Sequence, residues 1–138
     1  MLGNSESDKT EALIDRARAL KDALRQDRHR PTYHFLPQAG WMNDINGAIW
    51  WKGRYHVFYQ HHPWGGISGG ARWGHASSLD LLHWVHHPIA FAPSEDGYDR
   101  NGCWSGGAFV SNEGIPAVIY HGEPGGACIA TSADDMLE

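Results

Sequence analysis

Two periodicities divide the chain. Over residues 8–27 apolar side chains recur every three or four positions, with Leu13, Ile14, Ala17, Leu20 and Leu24 on one stripe and Arg and Lys around the rest. That spacing predicts an amphipathic helix. Asp8 and Glu11 have the spacing of a capping box at its start, and Pro31 limits its reach. From residue 33 the pattern changes to short apolar runs bounded by Gly, Pro, Asn and Asp, which predicts strands and turns. The runs are 48–51 (AIWW), 54–60 (RYHVFYQ), 71–78 (ARWGHASS), 84–92 (WVHHPIAFA), 103–111 (CWSGGAFVS), 116–122 (PAVIYHG) and 127–133 (ACIATSA). Lys52-Gly53 between the first two is a two-residue hairpin link.

Four strands are thus followed by three more in the same rhythm, and WGHASSLDLLHW is echoed by CIATSADDMLE. Four-stranded units in series predict a β-propeller. The expected fold class is all-β: about two propeller blades, the second one strand short, preceded by a short helix. The domain reading is a helical extension over 1–29 and an incomplete propeller domain over 30–138, the N-terminal part of something longer.

Composition narrows the function classes. With 138 residues, 41% of them hydrophobic, the chain can bury a core and is globular. A net charge of −5 argues against a nucleic-acid partner. No apolar run has membrane-spanning length, so no membrane partner is expected. The start, MLGNSESDKTEALIDRARAL, lacks the apolar centre of a signal peptide, so a cytoplasmic location is the default, with secretion open if a leader has been trimmed. Cys103 and Cys128 are too few for a disulfide framework. No metal is expected: His61-His62 and His83…His86-His87 have no Cys at zinc spacing, and adjacent strand residues point to opposite faces. Seven Trp suit either a sugar-stacking surface or a β core.

The segment GWMNDINGAIWW, residues 40–51, carries the candidate chemistry. Taken alone, N-D-I-N-G is a cluster of turn formers. In company with RPTYHFLPQAGWMNDINGAIWWKGRYHVFYQHHP, RWGHASSLDLLHW and DRNGCWSGGAFV it resembles the opening of glycoside hydrolase family 32, from about Arg30 to the last residue. The resemblance implies a five-bladed propeller and retaining cleavage of β-fructofuranosides, sucrose or fructan, with no cofactor. It implies that Asp44, just ahead of the first strand, is the nucleophile; such a carboxylate must stay ionised, and Asn43 and Asn46 are candidate donors to it. Asn43, Gln60, Trp104 and Ser105 match positions that bind the fructosyl unit, and Trp41 and Trp73 flank the site.

Some positions depart from the family pattern. Ile45 stands where Pro is usual, Trp104 where Phe is, Gly107 where the second Ser of FSGS is, and Ser68 where many members have Trp. The Arg-Asp-Pro and Glu-Cys motifs, which supply the transition-state Asp and the acid/base Glu, are absent. Glu95, Asp96, Asp99, Glu113, Glu123, Asp134 and Asp135 are expected to be solvated loop charges. The alternative function is a non-catalytic carbohydrate-binding module, which uses the same Trp and Asn chemistry without turnover.

Overall fold

The computed structural model describes residues 5–65, 70–132 and 137, with side chains from Asp15 onward. The expectations for Ser68, Asp134 and Asp135 fall outside these residues. Helix α1 spans Ser5–Arg25. Asp8 therefore lies inside the helix rather than at its cap. Along the described part of α1, Ala17, Leu20, Lys21 and Leu24 are half-buried and their neighbours exposed, the one-sided burial that the periodicity predicts. The helix closes with tightened turns, Gln26 N–H to Ala23 O at 3.2 Å and Asp27 N–H to Leu24 O at 3.3 Å, before Pro31.

Two antiparallel sheets follow. The first contains β1 (Trp41–Trp51), β2 (Arg54–His62), β3 (Arg72–Ser78) and β4 (Trp84–His86), in that order. The second contains β5 (Gly102–Val110), β6 (Pro116–Glu123) and β7 (Gly126–Thr131), also in chain order. Each is the up-and-down meander of a propeller blade. The turn between β1 and β2 places Lys52 at φ 43° and Gly53 at φ 82°. Two left-handed residues in succession are what a two-residue link of this kind requires.

Three extents differ from the sequence expectation. β1 starts at Trp41 rather than at residue 48, because β2 continues through His61 and His62 and pairs them with Met42 and Trp41. Asp44 is therefore inside the first strand, not ahead of it. The fourth run, 84–92, forms a regular strand only to His86. It still follows β3, with His87 N–H bonded to His75 O at 3.0 Å and Ala90 N–H to Trp73 O at 2.8 Å. Pro88 has no N–H to donate, and the regular ladder stops before it.

The core lies between the sheets. Phe58 and Trp73 from the first meet Cys103, Val118 and Tyr120 from the second, with Ile49, Phe91 and Ala108 packed around them. β1 and β5, the first strands of the two sheets, run against each other. A Cβ on Gly47 would lie 2.8 Å from the Ala108 Cβ, so glycine is what permits that approach. Among the described residues no helix is long and apolar enough to cross a membrane.

Candidate active site

Both first strands are bulged at the same end. On β1, Met42 faces His61 and Gly47 faces Phe58, so five residue steps on β1 oppose three on β2. On β5, Cys103 faces Gly122 and Gly106 faces Tyr120, three steps against two. The irregular stretches contain Asn43, Asp44 and Asn46 on β1 and Trp104 and Ser105 on β5. A bulge breaks the strict alternation of faces and re-aims side chains, which is why bulges recur beside functional sites.

The re-aimed groups meet. The Ser105 hydroxyl donates to Asp44 Oδ2 at 2.6 Å, and Gln60 Nε2 donates to Ser105 Oγ at 3.1 Å. Gln60 is buried on β2, while Asp44 and Ser105 are exposed. The result is a directional chain from amide to hydroxyl to carboxylate, built from three strands and two sheets. Ser105 uses its one proton on Asp44, and its lone pairs accept from Gln60. The Asp44 carboxylate is thereby oriented on a solvent-facing surface, as an oxygen nucleophile or a ligand to a polar molecule requires.

Trp104, also in the β5 bulge, is held at three points. Its indole N–H donates to Glu123 Oε2 at 2.8 Å, its carbonyl accepts from Trp73 Nε1 at 3.1 Å, and its ring lies over Gly102, where an added Cβ would sit 2.8 Å from Nε1. Trp73 itself is fully buried. It belongs to the core and supports the β5 bulge from beneath, which corrects the expectation that it flanks the site. Trp41 is half-buried with its ring edge-on to His62, centroids 5.7 Å apart, and Asn43 is exposed beside Asp44 in the strand. Asn46 is buried, and neither of its side-chain amide atoms has a hydrogen-bond partner among the described residues. It does not donate to Asp44; Ser105 does.

One carboxylate expected to be solvated is not. Asp99 is buried and accepts from Ser94 N–H at 3.1 Å, from the Ser94 hydroxyl, from Tyr120 O–H at 2.7 Å and from Cys103 Sγ at 3.5 Å. Burial opposes its charge, but these donors outweigh burial and hold its carboxyl down at about 2. Glu123 is exposed but engaged by the Trp104 indole. The Tyr120–Asp99 and Trp104–Glu123 bonds join residues 21 and 19 positions apart, so no local signal pointed to them.

Three of the histidines, His56, His75 and His87, stack on one another. His56 Nδ1 and His75 Nε2 share a hydrogen bond at 3.0 Å, and the rings of His75 and His87 lie 4.4 Å apart, nearly parallel. Phe58 stacks on His75 at 4.5 Å. Burial, then the neighbouring His87 and His56, push His75 down to about 3, so the His75 ring is neutral. Among the described residues no group of three or more His, Cys, Asp or Glu is placed to hold a metal ion. Two cavities, of about 170 Å³ between the sheets and about 360 Å³ between α1 and the first sheet, are lined by neither Asp44, Ser105 nor Gln60. The Asp44 cluster sits on an open face.

The sequence and the fold have known relatives. Residues 34–135 match the glycosyl hydrolases family 32 N-terminal domain. A raffinose invertase from Escherichia coli is 46% identical over 115 residues, covering 83% of this chain and 23% of that protein. Among solved structures, a β-fructofuranosidase from Bombyx mori superposes with a TM-score of 0.71 at 34% identity, covering 95% of this chain and 29% of that one. The fructan 1-exohydrolase IIa of Cichorium intybus gives 0.70 at 36% identity, covering 77% and 20%. Variants of these two have been solved with sucrose and with 1-kestose respectively. The chain thus spans about a quarter of the length of the relatives it matches.

Proposed function

Since the chain belongs to glycosyl hydrolase family 32, we propose that Asp44 is the nucleophile of a retaining β-fructofuranosidase centre and that Ser105, Gln60, Asn43, Trp41 and Trp104 form the wall around its fructosyl unit. The observation that carries this reading is the Gln60–Ser105–Asp44 hydrogen-bond chain at 3.1 and 2.6 Å. A nucleophilic carboxylate must present one oxygen at a fixed angle to the anomeric carbon. The Ser105 hydroxyl pins Oδ2, which leaves Oδ1 for the attack.

In the reaction, Oδ1 bonds to the anomeric carbon of the fructosyl unit as the glycosidic C–O bond breaks and the leaving oxygen takes a proton. Water then attacks the ester-like intermediate, and fructose leaves with Asp44 regenerated. Retention calls for a second carboxyl group about 5–5.5 Å from the first, as acid and then base. The family's Glu-Cys and Arg-Asp-Pro motifs are not in this sequence. The reading therefore assigns this chain the nucleophile and the fructosyl wall, not the proton donor. The substrates are small fructosides of the sucrose and fructan class, and the chemistry needs only carboxylates and water. A second reading is sugar binding without turnover, through the exposed Asn43 and the half-buried Trp41 and Trp104.

The deciding experiment is Asp44→Asn in the protein expressed from its complete gene. Turnover of sucrose should fall by three orders of magnitude or more, about 4 kcal/mol in barrier, with KM changed far less. Acid-quenched wild type should carry a hexosyl adduct on the peptide containing Asp44. A variant that keeps a large share of its turnover removes Asp44 from the role, and binding without turnover in the wild type selects the second reading.

A further inference from the structure

We propose that Glu123 is a positioning residue that locks the Trp104 indole as a fixed wall of the fructosyl site. The inference rests on the assignment of that site to the Asp44 surface. Trp104 and Ser105 are consecutive in the β5 bulge, so the side chain that precedes the Asp44-bonded Ser105 inherits whatever freedom the bulge leaves it. Side chains in a bulge lack the regular cross-strand neighbours that fix rotamers elsewhere in a sheet.

Here the missing constraint is supplied from the neighbouring strand. Glu123 faces Gly102 in the β5–β6 register, and its carbonyl accepts from Asn101 N–H at 2.9 Å, so its backbone is anchored on the strand that carries Trp104. From that anchor its carboxylate reaches the indole N–H at 2.8 Å. The ring edge rests on Gly102, the only residue type that leaves room there, since a Cβ would come within 2.9 Å of Cε2. One face is set by glycine, one edge by a charge-assisted hydrogen bond, and the backbone by the Trp73 indole bonded to the Trp104 carbonyl. A phenylalanine at 104 would have no N–H, and the carboxylate of Glu123 would have nothing to hold. The lock therefore depends on the indole, and a preset ring spares the site the ordering of a large side chain on each binding event.

The test is a double-mutant cycle in the protein expressed from its complete gene: Glu123→Ala, Trp104→Phe and the pair, with Glu123→Gln as the conservative replacement that keeps an acceptor oxygen. Two readouts are taken. The first, independent of turnover, is the ¹⁵N-indole resonance that disappears in Trp104→Phe. In Glu123→Ala it should move and its proton should exchange with water roughly tenfold faster, while in Glu123→Gln it stays close to wild type. The second is kinetics on sucrose. Glu123→Ala should raise KM by roughly threefold to tenfold with kcat little changed and the melting temperature equal. Added to Trp104→Phe it should change nothing further.

An unmoved indole resonance, an unchanged KM, or a KM effect that persists in the Trp104→Phe background overturns the proposal. The Asp44→Asn variant run alongside keeps the two readings apart. Full turnover in that variant removes the nucleophile assignment, while the indole resonance and the cycle still judge the lock.

Discussion

The two sheets solve the same problem with different polar groups. Each bulges its first strand at one end and sends the re-aimed residue to a shared surface. The first sheet delivers a carboxylate, Asp44, and the second a hydroxyl, Ser105. Behind those strands the sheets diverge. The first buries imidazoles, His56 and His75, with Ser77 and Ser78. Ser77 accepts from Arg54 Nε at 2.9 Å and lies 2.7 Å from His87 Nε2. The second gathers its donors on one anion, Asp99, tying β5 and β6 to the preceding loop. A buried polar group is tolerated where every hydrogen bond is met. The contrast shows that stacked imidazoles and a single charge surrounded by protein donors satisfy that rule equally well. They fail, however, in different pH windows.

The largest expected effect is on the second sheet. Asp99→Ala leaves the Tyr120 hydroxyl and the Cys103 thiol, both buried, without their acceptor, and the loop at Ser94 without its anchor. A loss of about 3 kcal/mol in unfolding free energy is expected. It reads as a lowered denaturation midpoint at unchanged m-value. A change within about 0.5 kcal/mol, typical of a surface charge, would erase the difference drawn between the sheets.

Acid separates the sheets next. His75 is pushed from 6.5 down to about 3 in the folded protein, so the unfolded chain takes up its proton first. Stability from the first sheet is complete above about pH 6.5 and falls below it by up to about 1.4 kcal/mol for each pH unit, until the folded ring also titrates. Asp99 has the same sign of linkage in a lower pH window. Its contribution is complete above the usual carboxylate range and is lost only as pH falls towards about 2. Between about pH 6.5 and 4, then, amide protection in β2 and β3 should weaken while that in β6 holds. His75→Phe should flatten this response. Equal weakening of both sheets would break the comparison.

The smallest effect sharpens the shared surface. Ser105→Ala and Gln60→Ala each remove one hydrogen bond of the chain to Asp44, for about 0.5–1.5 kcal/mol in fructoside turnover. Because both act through Ser105 Oγ, the pair should cost less than the sum of the two. Additive kinetics would show that Gln60 acts elsewhere.

The alternation of apolar residues located seven strands, and the Lys52-Gly53 pair located one hairpin, because both signals act within a few residues. The same reasoning misplaced the start of β1. N-D-I-N-G carries turn chemistry, and only the pairing of His61 and His62 with Met42 and Trp41 makes it a bulged strand. It read Trp73 as a site wall, where the structure gives it to the core. It also read Asp99 as solvated, where the distant Tyr120 hydroxyl helps to bury it.

By itself, then, the sequence determined the elements, their order, the fold class and the presence of a motif-bearing carboxylate. The tertiary structure alone decided which groups meet. Ser105 reaches Asp44 across sixty-one residues, Gln60 reaches Ser105 across forty-five, and Glu123 reaches Trp104 across nineteen. Strand propensity and turn chemistry are local free energies that a short window contains. A hydrogen bond between two bulges depends on how far each strand slips against its neighbour and how closely Gly47 lets β1 approach β5. Those distances are set only when the sheets pack.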